Sequence, residues 1–103
     1  MANALDEYQR KTAVFAAYPR ETALAYVGLG LAGEAGEVAN QLKKIIRDDA
    51  GSMTADRKEK LIDELGDVLW YCAALARELG LPLSQVAQIN IDKLSKRHGK
   101  TPQ

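Results

Sequence analysis

Two pairs of acids at helical spacing, Glu34-x-x-Glu37 in GLAGEAGEVANQLKK and Glu64-x-x-Asp67 in LIDELGDVLWYCAALA, are set among residues that otherwise read as helix core. Side chains three apart in a helix are neighbours on one face, roughly 5–6 Å between Cβ atoms, so each pair projects both carboxylates the same way. Two such helices packed side by side gather four oxygen donors into one patch. Like charges held together away from water either neutralise through their pKa values or recruit a cation. A donor set made only of carboxylates favours Mg²⁺ or Mn²⁺ over zinc, which prefers nitrogen and sulfur.

The rest of the chain supports helices. Alanine, leucine, glutamate and lysine dominate and β-branched runs are absent, which predicts an all-α chain of four helices. The first is expected from about Leu5 to Ala17, ending at Tyr18-Pro19 because proline disfavours helix in the residue before it. The second begins near Arg20 or Glu21 and runs to about Arg47, with Leu24, Val27, Leu31, Val38, Leu42 and Ile45 as its inward stripe. A turn follows at Asp48 to Ser52. Thr54 is the predicted N-cap of a third helix that ends near Gly80, with Leu61, Leu65, Val68, Cys72, Leu75 and Leu79 along one stripe. Leu69, Trp70 and Ala73 make its middle apolar nearly all round, a pattern that belongs at the centre of an assembly, so at least a dimer is expected. Pro82 and Ser84 start the fourth helix, which carries Val86, Ile89 and Leu94 inward and reaches about Arg97 before Gly99; the KTPQ tail is expected to fray.

A chain of 103 residues forms one domain, residues 1–103, and its polar ends suggest a complete one. Fourteen basic side chains balance fourteen acidic ones, so no general footprint for a nucleic-acid polymer or an anionic membrane is present and any phosphate binding must be local. Cys72 lies in an apolar run and reads as a small buried hydrophobe rather than a reactive thiol. The N-terminus has neither the basic start nor the apolar core of a secretory signal, and the longest apolar stretch falls far short of a membrane span. A soluble cytoplasmic protein is expected.

Gly28, Gly30, Gly33 and Gly36 are unexpected inside a helix, because each costs about 0.8–1.0 kcal/mol relative to alanine. Close helix packing or a local break near Gly28-x-Gly30 would account for them, and so would room beside Glu34 and Glu37 for a bulky ligand. They form no phosphate loop, since no strand precedes them and no Gly-Lys-Ser/Thr follows. Both acid pairs border apolar stripes, whereas the lysines cluster toward helix ends at Lys43-Lys44 and at Lys58 and Lys60.

GLAGEAGEV followed by DELGDVLWY resembles the MazG-like family of all-α nucleoside triphosphate pyrophosphohydrolases, over most of the chain. The family pattern is Glu-x-x-Glu, a variable stretch, then Glu-x-x-Asp, and Glu34, Glu37, Glu64 and Asp67 match it in type, order and separation. The resemblance implies an oligomeric four-helix bundle, homodimer or homotetramer, in which the four carboxylates hold Mg²⁺ against a nucleoside triphosphate. One acid orients or deprotonates the attacking water, Glu37 being preferred and Glu34 close behind. It also extends to Asn90, Lys93 and Arg97, implied to contact the phosphates and spaced along one stripe of the last helix. An ordinary wet face with a helix-terminal cation would show the same spacing.

Substitution at the α-phosphorus would then give a nucleoside monophosphate and pyrophosphate, in a role removing non-canonical or excess nucleotides. Trp70 and Tyr71 are candidates for base contact, or equally for core or a subunit interface, and Tyr8 and Gln9 are weaker candidates for the pocket. His98, the single histidine, reads as a helix-terminal cation. A di-iron bundle is disfavoured because no Glu-x-x-His motif is present. The standing alternative is a catalytically inactive interaction or regulatory module whose acids bind a structural cation.

Overall fold

A computed structural model describes residues 3–103. Four helices follow one another: α1 (Ala4–Thr12), α2 (Ala23–Asp48), α3 (Ala55–Glu78) and α4 (Leu83–His98), with no strand among the described residues. Two short 3₁₀ turns, Ala13–Phe15 and Arg20–Thr22, flank the extended Ala16 to Pro19 link. The first helix is therefore shorter than its apolar pattern suggests. Thr12 Oγ1 bonds back to the Tyr8 carbonyl at 2.7 Å, a local bond that competes with continued helix, and the chain tightens into the 3₁₀ turn there.

α2 and α3 form a long antiparallel hairpin. Its turn is set by Ala50 and Gly51, both at positive φ, with the Gly51 N–H reaching back to the Ile45 carbonyl at 3.0 Å. Arg57 on α3 clamps the turn by donating to Asp49 at 2.7 Å. Thr54 caps α3 as its sequence position predicts, accepting from the Arg57 N–H at 3.2 Å. At the far end Gly80, at φ 75°, lets the Leu81 N–H bond to the Ala76 carbonyl and close the helix.

α1 lies across the end of the hairpin and holds the start of α4. Gln9 is buried and spans both: its amide donates to the Ala73 and Leu81 carbonyls at 3.1 and 3.0 Å, and its oxygen accepts from the Leu83 N–H at 3.0 Å. Asp6 caps the same helix through the Ser84 N–H and hydroxyl at 2.9 and 2.6 Å. Gln9 is thus a structural clamp between α1, α3 and α4. Tyr8 packs against the Ala73, Ala76 and Leu83 core.

The core is built of small residues. Tyr18, Ala23, Val27 and Ala74 form its main cluster, with Ala16, Trp70, Tyr71 and Leu75 packed on it, and Val27 is the largest fully buried side chain. Small residues let the helices approach closely but leave large ones outside. The expectation that Val86, Ile89 and Leu94 point inward is corrected: all three are exposed, because α4 packs on α1 and α3 near its own start and is uncovered along most of its length. Leu24, Leu42, Leu65 and Leu79 are exposed as well, so the predicted stripes of α2 and α3 are only partly covered by this chain.

Candidate functional site

The acids converge where α2 crosses the middle of α3. One carboxylate oxygen from each of Glu34, Glu64 and Asp67 lies within 4.8 Å of the others. Glu34 and Glu64 are half-buried and Asp67 is exposed, so the group opens to solvent on one side. Glu37, one turn further along α2, is exposed and stands outside this trio. The antiparallel hairpin brings the trio together: its register sets Gly30 against Tyr71, and one turn on sets Glu34 against Glu64 and Asp67.

Partial burial, reinforced by the negative charges of Asp67, Glu64 and Glu37 and by a hydrogen bond with Glu64, pushes the Glu34 carboxyl above its ordinary range. Proximity of like charges at such a cost is relieved by a cation or by a proton. The donor set, three carboxylates open on one side, suits an oxygen-loving divalent ion that keeps part of its water or takes phosphate oxygens. On these grounds the residues fit an ion such as Mg²⁺ or Mn²⁺, which Glu34, Glu64 and Asp67 would hold.

A cavity of about 380 Å³ adjoins the acids, lined by Phe15, Glu34, Asp67, Trp70 and Tyr71. Two of the expected base-contact residues, Trp70 and Tyr71, therefore do reach the acids' neighbourhood. Their rings meet edge to face at 4.9 Å, and Trp70 meets Tyr18 edge-on at 6.5 Å. The indole N–H of Trp70 donates to the Thr12 carbonyl at 3.1 Å, which ties the end of α1 to α3. Tyr71 lies against Gly30 so closely that a Cβ there would overlap its ring, and burial raises its phenol above the ordinary range, with Tyr26, Glu34 and Asp67 adding to the shift. Close packing is thus the role of Gly30 and α2 is unbroken there, whereas Gly28, Gly33 and Gly36 face open space.

Asn90, Lys93 and Arg97 are exposed on α4, and none of them lines this cavity. Phe15 went unnoticed in the sequence because it precedes the Pro19 break and shares no periodicity with either acid pair. Burial also raises the Cys72 thiol, in keeping with an inert residue, although the side chain is only half-buried beside Ile62, Leu65, Val68 and Leu69. His98 is the last residue of α4.

The family described as MazG nucleotide pyrophosphohydrolase domain matches residues 22–101. The Gene 37 protein of Mycobacterium phage L5 is 53% identical over 74 residues, covering 72% of this chain and 65% of the phage protein. The protein named Uncharacterized protein YvdC of Bacillus subtilis (strain 168) is 39% identical over 69 residues, covering 62% of this chain and 65% of that protein. The aligned part of the chain thus spans just under two thirds of the length of both relatives. No solved structure matches. Among the described residues no helix is long and apolar enough to cross a membrane.

Proposed function

Because the chain belongs to the MazG nucleotide pyrophosphohydrolase domain family, we propose that it hydrolyses nucleoside or deoxynucleoside triphosphates to the monophosphate and pyrophosphate with the help of Mg²⁺. The observation that carries this reading is the convergence of Glu34, Glu64 and Asp67 beside a cavity walled by aromatic rings. Acids and rings together match a nucleotide, which is highly charged at one end and flat and apolar at the other.

In this reading Glu34, Glu64 and Asp67 hold the divalent ion. The bound ion supplies charge neutralisation and Lewis-acid polarisation to a polyphosphate that bare carboxylates would repel. Glu37 stands outside the trio and is free to orient the attacking water and accept its proton; Glu34, whose carboxyl is drawn toward the protonated form, is the second candidate. Asn90, Lys93 and Arg97 present an amide and two cations on α4 that would neutralise the outer phosphate oxygens and the charge developing as pyrophosphate leaves. Trp70 and Tyr71 bound the base end of the cavity.

Self-association belongs to the same proposal, as a homodimer or homotetramer, since Ile62, Leu65 and Leu69 of α3 are exposed together on an apolar face. The work fits nucleotide-pool sanitation in the cytoplasm. The decisive experiment incubates the protein with Mg²⁺ and a panel of canonical and modified nucleoside triphosphates. Monophosphate with pyrophosphate supports the enzyme, and Glu34→Gln and Glu37→Gln should each depress their formation. Retained nucleotide binding without turnover across the panel would instead mark an inactive module, and full activity in both variants would remove the catalytic assignment.

A further inference from the structure

We propose that Phe15 is the stacking platform for the base of the nucleotide, and so the residue that sets affinity for the nucleoside end of the substrate; this rests on the nucleotide reading above. Three aromatic residues line the cavity beside the acids, and they differ in what is left of their faces. Trp70 is engaged on two sides by Tyr71 and Tyr18, and its only polar atom is spent on the Thr12 carbonyl. Tyr71 is backed by Gly30 on α2 and by Trp70. Phe15 is 70% exposed and belongs to no aromatic pair among the described residues. It is the ring with a face to offer.

The backbone also fixes where that face stands. Phe15 ends the 3₁₀ turn Ala13–Phe15, whose entry is pinned to α3 by the bond from Trp70 to Thr12 and whose exit is closed by the Ala16 N–H to the Ala13 carbonyl at 3.1 Å. The platform is thus anchored to the residue lying three positions beyond Asp67. A cavity of about 380 Å³ is at the small end of the range of roughly 300–1,000 Å³ for ligand pockets, which suits a base and part of a sugar with the phosphates emerging past the acids. Phe15 precedes the segment matched by the family, residues 22–101, so this wall is supplied by the chain's own N-terminal part. A phenyl ring carries no hydrogen-bonding group, and stacking is tolerant of base identity. Phe15 therefore favours nucleotides over bare polyphosphate without choosing strongly among bases.

The test uses the protein's single tryptophan, Trp70, as the reporter. Its emission is followed with Mg²⁺ while α,β-methylene deoxynucleoside triphosphates, which resist cleavage at the α-phosphorus, or inorganic tripolyphosphate are titrated into the wild type, Phe15→Ala and Phe15→Tyr. Expected is a rise in Kd of roughly ten- to a hundredfold for every nucleotide in Phe15→Ala, no change for tripolyphosphate, and recovery in Phe15→Tyr. In turnover the same variant should raise KM and spare kcat, because stacking is equal in ground and transition states. Unchanged nucleotide affinity in Phe15→Ala overturns the proposal while leaving the nucleotide reading intact. So does an equal loss for tripolyphosphate, or a loss of self-association with nucleotide affinity retained. A wild type that binds neither probe removes the nucleotide reading and this proposal together.

Discussion

The ring of Tyr71 on α3 occupies the space that a side chain on Gly30 of α2 would need, one helical turn from the point where Glu34 faces Asp67. This contact sets how closely the two long helices approach, and therefore how tightly their acids converge. Gly30→Ala must displace Tyr71, which is itself wedged against Trp70. Overpacking of this kind costs about 1–3 kcal/mol, and the shift opens the acid cluster, so both thermal stability and magnesium-dependent turnover should fall. Gly33→Ala meets no neighbouring atom and should stabilise the fold through helix propensity by up to about 1 kcal/mol, and so raise the melting temperature. Thermal melts of the two variants side by side check the contrast; equal melting temperatures would show that Gly30 is not a packing site.

The charge arrangement makes a second prediction. Burial and three neighbouring acids work against the charged form of Glu34, so Glu34→Gln should melt at a higher temperature than the wild type when divalent ions are chelated. On adding Mg²⁺ the order should reverse, because ligand binding stabilises only a protein that can hold the ion. Pyrophosphate release should drop by roughly a hundredfold or more, the scale of losing one directly acting group. Melting with EDTA and then with millimolar Mg²⁺ reads both effects, and an unchanged magnesium increment in the variant would exclude Glu34 as a holder.

Much of this was legible in the sequence, for a physical reason. Thr54, Gly99 and the Asp48 to Ser52 turn are local signals, decided by caps and positive φ within a few residues, and the structure places them as read. Glu64 and Asp67 meet Glu34 because spacing of three keeps side chains on one side of a helix. Spacing alone does not say which member of a pair joins the cluster: Glu37 stands at the same separation from Glu34 and lies outside the trio. What depends on distant partners was not legible. Gln9 reads as an ordinary polar helix residue until Ala73, Leu81 and Leu83 surround it. Val86, Ile89 and Leu94 have the period of a buried stripe, and no periodicity tells whether the covering surface comes from the same chain.

Acid should weaken the fold at a definable point. Glu78 accepts from the Tyr18 hydroxyl at 2.8 Å and from Arg20 at 2.6 and 3.2 Å, and these bonds hold its carboxyl below the ordinary range, Arg20 contributing most. A depressed carboxyl stabilises the folded state at pH values above its unfolded pKa, and that contribution disappears as pH falls through the folded value. Glu78→Gln should therefore melt below the wild type at pH 7, with the gap closing as pH drops from about 5 toward 3. Melting temperatures of both proteins across that range test it; a gap independent of pH would mean that the carboxyl's charge contributes nothing.

The uncovered face of α3 gives the last prediction. Ile62 and Leu65 are 57% and 59% exposed and adjoin Leu69, Val68 and Cys72 in one apolar hollow. Fully burying a large apolar side chain is worth about 1.5–3 kcal/mol, so covering these half-exposed ones gains roughly half of that each, and a symmetric pairing counts every one twice. An acid at the centre of such a contact would face its own copy and remain desolvated, which penalises association far more than it penalises the lone chain. Ile62→Glu should therefore keep its helical circular dichroism yet sediment as a monomer at concentrations where the wild type is a dimer or larger. The position projects from α3 without belonging to the acid trio, so any fall in turnover that tracks the fall in mass, and recovers at high protein concentration, would tie activity to assembly. A wild type that sediments as a monomer at tens of micromolar would instead leave this face to another partner.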